Sequence, residues 1–169
     1  KFQRCTRCVM DNSSDTTITF DKNGNCNYCT YALERMPNVY FPTQDGKAKL
    51  DLILSKIKSS GKNKKYDCIM GISGGLDSSY LLYLGYKWGL KILAIHIDDG
   101  FNSSIAIQNV KSLCERCKVN LIIERPDEEQ FQDVTRSFII AGLPGICNLQ
   151  DNLIESYLYK NAKKYNIKY

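Results

Sequence analysis

The stretch that decides the fold reads Gly71-Ile72-Ser73-Gly74-Gly75-Leu76-Asp77-Ser78-Ser79. It follows an apolar run over residues 66–72 that predicts a buried strand, and it precedes an apolar segment of helical length at 80–88. Adjacent glycines let the backbone pass close to a ligand, and the first turn of a helix leaves several N–H donors unpaired. Because the helix dipole also favours negative charge, the order of strand, glycine turn and helix predicts a phosphate site.

Asp77 argues against a plain phosphate site, because its carboxylate would repel an anion unless a cation lay between them. A bridging Mg²⁺ removes that conflict. No lysine follows the glycines and no GxxxxGK[ST] pattern occurs, which excludes a Walker A loop. The alternative is an ordinary strand-to-helix turn whose helix is capped by an aspartate or a serine.

Residues 73–78 resemble the SGGxDS pyrophosphate loop of the PP-loop ATP pyrophosphatases, which split ATP between its α and β phosphates. The resemblance implies catalytic roles for Ser73 and Asp77. It also implies a nucleotide-binding segment made of Ile72, Ser73, Gly74, Gly75, Leu76, Asp77, Ser78 and Ser79.

The composition of the chain is that of an ordinary globular protein: of its 169 residues, 43% are hydrophobic and 24% are charged. The net charge of +5 suits an anionic small molecule better than a nucleic-acid backbone. No apolar run approaches the roughly 20 residues that span a bilayer, and no signal-peptide pattern opens the chain. We therefore expect a cytoplasmic protein with no membrane partner.

Two cysteine pairs, Cys5 with Cys8 and Cys26 with Cys29, have the spacing of a Cys₄ zinc site. Between them, a β-branched and aromatic segment at 16–20 and a turn at 21–25 predict a short hairpin, as in a zinc ribbon. A segment this small needs a metal to fold. A redox dithiol pair and an iron–sulfur cluster remain alternatives for the same sulfurs.

The rest of the chain predicts an α/β fold with a doubly wound parallel sheet of PP-loop (adenine nucleotide alpha hydrolase-like) type. Residues 1–45 would form the zinc ribbon and an irregular linker containing Pro37 and Pro42, and residues 46–169 the N-terminal part of the ATP-binding domain. Helices are predicted at 46–60, 103–118, 127–141 and 151–165, and strands at 91–97 and 120–124.

Residues 167–169 read as the start of a fourth strand. Because three strands and the beginning of a fourth make a poor sheet, we expect the natural protein to be longer, which the mass of the intact natural product would check.

An acidic turn, Asp98-Asp99-Gly100, ends the second predicted strand. Ligands of parallel sheets bind beyond the carboxyl ends of the strands, so this turn should face the same crevice as the glycine loop. By analogy with the fold, backbone groups near Ile72 and Ile97 would contact adenine, with Asp98 close by. A merely polar turn is the alternative. His96 alternates with apolar neighbours and reads as a buried structural residue.

The remaining cysteines differ in their predicted surroundings. Cys114 and Cys117 fall on or beside the apolar face of a helix, and Cys68 lies within the first strand, so all three read as buried thiols. Cys147 stands in a turn before the last predicted helix, where a helix N-terminus favours a thiolate. It is therefore the candidate catalytic cysteine of the main domain, although the sequence leaves that role open.

The N-terminal module resembles that of the N-acetyl sugar amidotransferases of surface-polysaccharide (LPS) and nonulosonic-acid biosynthesis. The similarity lies in residues 4–10, 17–21 and 24–29, together with the loop and a late-turn cysteine. It implies ATP, Mg²⁺ and Zn²⁺ as cofactors and an acetamido nucleotide-sugar or nonulosonic acid as substrate. The implied reaction adenylates the acetamido oxygen, after which ammonia from a separate glutaminase displaces AMP.

Two other functions are compatible with these motifs. A tRNA 2-thiolation enzyme of the PP-loop type combines zinc modules with the same loop. It typically carries a second cysteine and basic residues in the late turn, whereas residues 147–150 here read Cys-Asn-Leu-Gln. A non-catalytic nucleotide-binding scaffold is the other, which the intact Asp77 disfavours.

Overall fold

A computed structural model describes residues 1–145 and 147–169, so that Ile146, in the turn predicted before the last helix, lies outside the described residues. The described chain forms two compact units, Lys1–Leu52 and Ile53–Tyr169. Its helices are α1 (Asn27–Val39), α2 (Gln44–Ser60), α3 (Leu76–Lys87), α4 (Ser104–Arg116), α5 (Glu128–Ile140) and α6 (Cys147–Tyr165). Its strands are β1 (Cys68–Gly71), β2 (Ile92–Ile97) and β3 (Asn120–Glu124).

Within the described residues, the three strands form one parallel sheet in the order β1-β2-β3. Cys68 pairs with Ile92 at one end of the β1–β2 register, and Ile97 pairs with Glu124 at the end of the β2–β3 register. All six residues of β2 are buried. A central parallel strand covered on both faces reads as a continuous apolar run, which is why the sequence of β2 predicted it well.

Helices cover both faces of the sheet, as a doubly wound fold requires. Successive residues of a strand point to opposite faces, so Ala94 and Leu93 enter different cores. The core on the α3–α4 face comprises Ile72, Leu82, Ala94, Val110, Cys114 and Cys117. The core on the other face contains Leu93, Ile95 and Ile97, against which α6 packs Leu153, Ile154, Tyr157 and Leu158. The α/β prediction is confirmed, and so is the burial of the Cys114 and Cys117 thiols.

The irregular linker predicted after the second cysteine pair is wrong over its first part, because α1 occupies Asn27–Val39. Pro37 lies inside this helix, but the helix ends two residues later, so the hydrogen bond that proline removes is one near a fraying terminus. At the other end, the buried Cys29 side chain anchors the first turn in a small core with Cys5, Ile18 and Cys26. The predicted hairpin is reduced to one antiparallel bridge, Phe20 with Cys26.

Two helices begin earlier than predicted. α3 begins at Leu76 rather than near residue 80, which places Asp77 in its first turn, and α6 begins at Cys147 rather than Asp151. At the C-terminal end, residues 167–169 form no strand, although the Ile69 N–H donates to the Tyr169 carbonyl oxygen at 2.8 Å beside β1. No helix in the described part of the chain is both long and apolar enough to cross a membrane.

Candidate nucleotide site and cysteine cluster

The loop between β1 and α3 presents backbone donors at its carboxyl end. Gly74 has a φ of +84°, a conformation that glycine adopts without strain. Gly75 is the N-cap of α3, and no described side chain caps this helix. The N–H groups of the first turn therefore remain available to an anion, which the helix dipole also favours.

Serine hydroxyls bridge the same loop. The Oγ atoms of Ser73 and Ser78 are 3.1 Å apart, the Ser73 N–H donates to Ser78 Oγ at 3.3 Å, and the Gly75 N–H donates to Ser73 Oγ at 3.3 Å. The two backbone contacts are longer than the usual 2.9–3.0 Å for N–H donors, and the hydroxyl pair is longer than its usual 2.7–2.8 Å. Phosphate oxygens could replace them with stronger, charge-assisted bonds.

Asp77 lies in the first turn of α3 and is exposed. No described residue forms a salt bridge or hydrogen bond with its carboxylate, whose position beside the open N–H groups leaves it able to ligate a cation. The predicted pairing of an anion site with an adjacent carboxylate is thus compatible with the geometry. The roles of Asp77 in Mg²⁺ binding and in catalysis stay predictions.

A cavity of about 170 Å³ lies at the carboxyl ends of β1 and β2. It is lined by Gly71, Ile72, Ser73, Ser78, Ile95, His96, Ile97, Asn102, Gln150 and Ile154. Loop serines and strand residues therefore meet in one crevice, as the position of ligand sites in parallel sheets led us to expect.

The backbone groups expected to contact adenine already have partners. The Ile72 N–H donates to the Ile95 carbonyl at 2.9 Å, and the Ile72 carbonyl lies 2.8 Å from His96 Nδ1. The Ile97 carbonyl accepts from Asn102 Nδ2 at 2.9 Å. Ile72 and Ile97 nevertheless line the cavity. Their side chains can therefore contact a bound base, and each carbonyl oxygen, which has two lone pairs, can accept a further hydrogen bond.

The two aspartates of the acidic turn have different partners. Asp98 pairs with the Arg125 guanidinium at 2.8 Å, which leaves it less available to a nucleotide than the sequence suggested. Asp99 is buried and accepts hydrogen bonds from the Phe101 N–H, from Asn102 Nδ2 and from Gln150 Nε2. Asp99 thus orders the turn and ties it to the start of α6. The nucleotide-binding role assigned to Asp98 stays a prediction.

A second cavity, of about 400 Å³, is lined by Asp99, Phe101, Phe131, Thr135, Ile139, Cys147 and Gln150. Cys147 is exposed, and Gln150, one helical turn further along α6, lines both cavities. The candidate cysteine therefore lies on the neighbouring cavity rather than on the one beside the glycine loop. Sequence reasoning missed Asn102 and Gln150. Gln150 is linked to Asp99 only by a tertiary contact, whereas Asn102 lies three residues after Asp99, so the local spacing of Asp and Asn was a signal that could have indicated it.

The four N-terminal cysteines form a metal-binding arrangement. Their Sγ atoms all lie within 4.8 Å of one another, with 3.9 Å between Cys5 and Cys29 and 3.6 Å between Cys8 and Cys26. A tetrahedral site with Zn–S bonds of about 2.3 Å has S–S edges of about 3.8 Å. The cluster therefore fits a zinc ribbon, and the donor set suits zinc or iron.

The pKa values of these thiols also favour a bound metal ion. Burial raises the pKa of Cys5, but the backbone N–H groups of Arg7 and Cys26 outweigh it and lower that pKa to about 6. The hydrogen-bonded Cys8 side chain, together with burial, raises the pKa of Cys29 to about 12. Sulfurs packed this closely resist becoming thiolates together unless a cation neutralises them.

Comparison with known proteins assigns the larger part of the chain to a family. Residues 46–141 match the family model of the PP-loop domain. The chain belongs to the PP-loop domain family. The predicted fold is therefore confirmed, and the family is one of ATP-using enzymes of the ATP pyrophosphatase type.

One relative of this PP-loop protein aligns with almost the whole chain, and another aligns with a shorter stretch. An uncharacterized protein of Methanocaldococcus jannaschii is 27% identical over 167 residues, covering 98% of this chain and 57% of the relative. A tRNA(Ile)-lysidine synthase of Chlamydia muridarum is 35% identical over 71 residues, covering 41% of this chain and 22% of the synthase. The chain thus spans little more than half the length of the first relative and less of the second.

Among solved structures, NMN synthetase from Francisella tularensis superposes with a TM-score of 0.54 at 25% identity. The match covers 72% of this chain and 51% of that one. It supports the PP-loop architecture of the larger unit.

Proposed function

We propose that this chain carries the ATP-activating part of an amidotransferase that converts the acetamido group of a sugar into an acetamidino group. The proposal rests on the first turn of α3, where N–H groups without a side-chain cap lie beside the Asp77 carboxylate, which pairs with none of the described residues. Such a site can hold the pyrophosphate of ATP and a cation at the same place.

The reaction needs activation because an amide carbonyl is a poor electrophile. The acetamido oxygen attacks the α-phosphorus of ATP, the bond to the β-phosphate oxygen breaks, and pyrophosphate leaves. Ammonia then adds to the adenylated carbon, and AMP leaves with the former acetamido oxygen and its bonding electrons. Loss of a proton from the added nitrogen completes an acetamidine.

The residues of the loop take defined parts in this scheme. Backbone N–H groups at Gly74 and Gly75 and the hydroxyls of Ser73 and Ser78 hold the departing pyrophosphate. Asp77 would hold Mg²⁺, which neutralises the charge that builds on the leaving group. The Gly75 N–H and the two hydroxyls now bond to one another within the loop, so an arriving phosphate would take over these long contacts.

The choice of ammonia over sulfur as the nucleophile rests on the cysteines. Cys147 is the one thiol among the described residues that line its cavity. Cys114 and Cys117 belong to the α3–α4 core, and Cys68 lies in β1. Among the described residues, no second thiol therefore accompanies Cys147 to transfer sulfur. The resemblance of residues 4–10, 17–21 and 24–29 favours a sugar amidotransferase.

A second candidate is an enzyme that modifies tRNA, with 2-thiolation as the specific form. It is favoured by the 35% identity over 71 residues with a tRNA(Ile)-lysidine synthase. That similarity covers under half of this chain, and it does not identify a tRNA or a sulfur donor as a partner of this chain.

The partners follow from the chemistry of the proposal. The substrate would be an acetamido nucleotide-sugar or a nonulosonic acid, and a separate glutaminase would supply ammonia. The cavity beside Cys147 falls within the roughly 300–1,000 Å³ of small-molecule sites, and its Phe101 and Phe131 rings can contact the apolar face of a sugar. As part of this proposal, the reaction would take place in the cytoplasm.

Pyrophosphate release by the intact natural protein tests the proposal. With ATP, Mg²⁺ and ammonium, we expect release that depends on a diacetamido nucleotide-sugar or a nonulosonic acid and yields AMP. Release stimulated only by tRNA would replace the first candidate with the second. Nucleotide binding with no release under either condition would favour a scaffold.

A further inference from the structure

One face of α3 carries large side chains that the rest of the described chain leaves exposed. Leu76 is 84% exposed, Tyr80 59% and Tyr83 43%. Helix residues three and four positions apart are neighbours on the surface, so these three side chains form one stripe, which begins next to the glycine loop. Leu82, on the other side of the helix, belongs to the core of the larger unit. A contiguous exposed patch of apolar and aromatic side chains marks an interaction site.

The two tyrosines form the centre of this stripe. The centroids of the Tyr80 and Tyr83 rings are 6.5 Å apart, and the ring planes are inclined by 30°, so the rings stack on the helix surface. Tyrosine provides a large contact area at a low cost in conformational entropy, and it is enriched in protein interfaces. The stripe is therefore suited to pack its rings against another aromatic surface.

The spacing of the stripe is symmetric about the midpoint of the helix. α3 has 12 residues, Leu76–Lys87, and Tyr80 and Tyr83 lie at equal distances from its midpoint. Two copies of the helix, packed antiparallel about a two-fold axis at that midpoint, would place Tyr80 of each copy against Tyr83 of the other. A two-fold interface uses the same patch on both subunits, and this patch is complementary to itself.

The charges at the two ends of α3 favour the same arrangement. Asp77 lies in the first turn and Lys87 in the last, and both are exposed. In the antiparallel pair, Lys87 of each copy is level with Leu76 of the other and therefore one residue from Asp77. The four charges then form two pairs of opposite sign, whereas a parallel pair in register would bring like charges together. Complementary charges of this kind fix the register of an interface.

We propose that the stripe on α3 is the interface with a second copy of this chain, packed antiparallel about a two-fold axis. This interface brings Lys87 of the second copy beside the first turn of α3, where N–H groups without a side-chain cap are available to an anion. The glycine loop itself contains no lysine. Each copy therefore supplies a positive charge to the anion site of the other, and this does not depend on which group ATP activates.

A second copy fits the stripe better than a nucleic acid does. Tyrosine rings also stack on bases, but binding to a nucleic-acid backbone requires several cations along the surface. α3 has a carboxylate in its first turn and a single lysine in its last. Because one face of a 12-residue helix is smaller than the roughly 800 Å² per partner of a standard interface, we expect a reversible dimer.

Light scattering of the intact natural protein over a range of concentrations tests the inference. We expect a monomer–dimer equilibrium that Tyr80→Glu weakens about tenfold or more, because it places a carboxylate at the centre of the interface. Leu81→Glu is the matched control, since Leu81 is 51% exposed on the same helix but lies about 100° from Tyr80 around the helix axis. This control should dimerise as the wild type does.

Two results of that experiment would overturn the inference. One is a natural protein that stays monomeric up to about 100 μM. The other is an association that Tyr80→Glu leaves unchanged or that both variants weaken equally. A monomeric protein in which Tyr80→Glu, but not Leu81→Glu, loses tRNA binding would assign the stripe to a nucleic acid instead of a second copy.

Exchanging charges tests the antiparallel orientation. Lys87→Glu makes both ends of α3 acidic, and Asp77→Lys makes both ends basic. Each variant alone should dimerise about tenfold more weakly than the wild type, because like charges meet at both ends of the interface. An equimolar mixture should form heterodimers with the affinity of the wild type, since both pairs are again of opposite sign. Two folded variants that form no heterodimer in preference to homodimers would contradict this arrangement.

Discussion

A Cβ atom on Gly74 would lie 2.7 Å from the carbonyl oxygen of Ala106, in the first turn of α4. Real Cβ atoms essentially never approach another atom so closely. Gly74 also has a φ of +84°, so a side chain here would be strained by conformation as well as by contact. The glycine loop therefore depends on glycine at this position for two independent reasons.

Replacing Gly74 by alanine should destabilise the larger unit by about 1–3 kcal/mol and weaken ATP binding, because the loop must shift away from α4. Gly75→Ala is the matched control: its φ is −76°, and its nearest neighbour would be Ser73 Oγ at 3.4 Å, an ordinary contact. Denaturant unfolding and ATP titration measure both effects. Equal losses in the two variants would contradict the role given to Gly74.

Much of this site could be predicted from the sequence, because the patterns that indicate it are local. The order of an apolar strand, adjacent glycines and a helix is contained in residues 66–88, and the burial of β2 on both faces is visible as its apolar run at 92–97. The spacing of the two cysteine pairs likewise predicted their convergence. These features need no knowledge of tertiary contacts.

The parts that sequence could not supply depend on distant residues. Pro37 predicted a break, but anchoring of Cys29 in the cysteine cluster lets α1 form up to its last turn. The alternation around His96 predicted its burial correctly, yet alternation does not reveal its bond to the Ile72 carbonyl. The hydrogen bond between Gln150 and Asp99 joins residues 51 positions apart, so no local sequence pattern predicts it.

Removing a sulfur ligand should unfold the smaller unit. Because structural zinc supplies on the order of 10 kcal/mol, we expect Cys5→Ser to lose bound metal and to expose Lys1–Leu52 to proteolysis, while Ile53–Tyr169 stays folded. Elemental analysis should find one zinc per wild-type chain, and Cys147→Ser should retain it. Finding iron with a visible charge-transfer band would show that the site holds an iron–sulfur cluster and not zinc. Full metal content in Cys5→Ser would contradict the predicted ligand set.

Thiol labelling should distinguish the cysteines of the larger unit. Burial, with a smaller effect of Asp67, raises the pKa of Cys68 to about 11, and burial with the nearby Cys117 raises that of Cys114 to about 11. In zinc-loaded protein at pH 7, the exposed Cys147 should therefore react first, and Cys147→Ser should abolish the fast phase. Labelling of Cys68 and Cys114 should accelerate about tenfold for each pH unit up to about 11. Fast labelling of Cys114 at pH 7 would contradict its burial.

Neutralising Asp77 tests the cation site. Asp77→Asn should lower Mg²⁺-dependent pyrophosphate release about 10²–10³-fold, as expected for loss of one electrostatic group at a reacting centre, with little change in the unfolding midpoint. Asp45→Asn is the matched control, since Asp45 is an exposed carboxylate in the first turn of α2. Normal release by Asp77→Asn across a range of Mg²⁺ concentrations would remove Asp77 from the mechanism.

In the proposed reaction, the loop activates an acetamido oxygen by joining it to the α-phosphate of ATP. Its most direct test follows that oxygen, using a substrate labelled with ¹⁸O in the acetamido carbonyl, ATP, Mg²⁺, ammonium and the intact natural protein. Mass spectrometry should find one ¹⁸O in AMP and none in pyrophosphate. Label retained in the sugar product, or appearing in pyrophosphate or inorganic phosphate, would show that the acetamido oxygen is not joined to the α-phosphate.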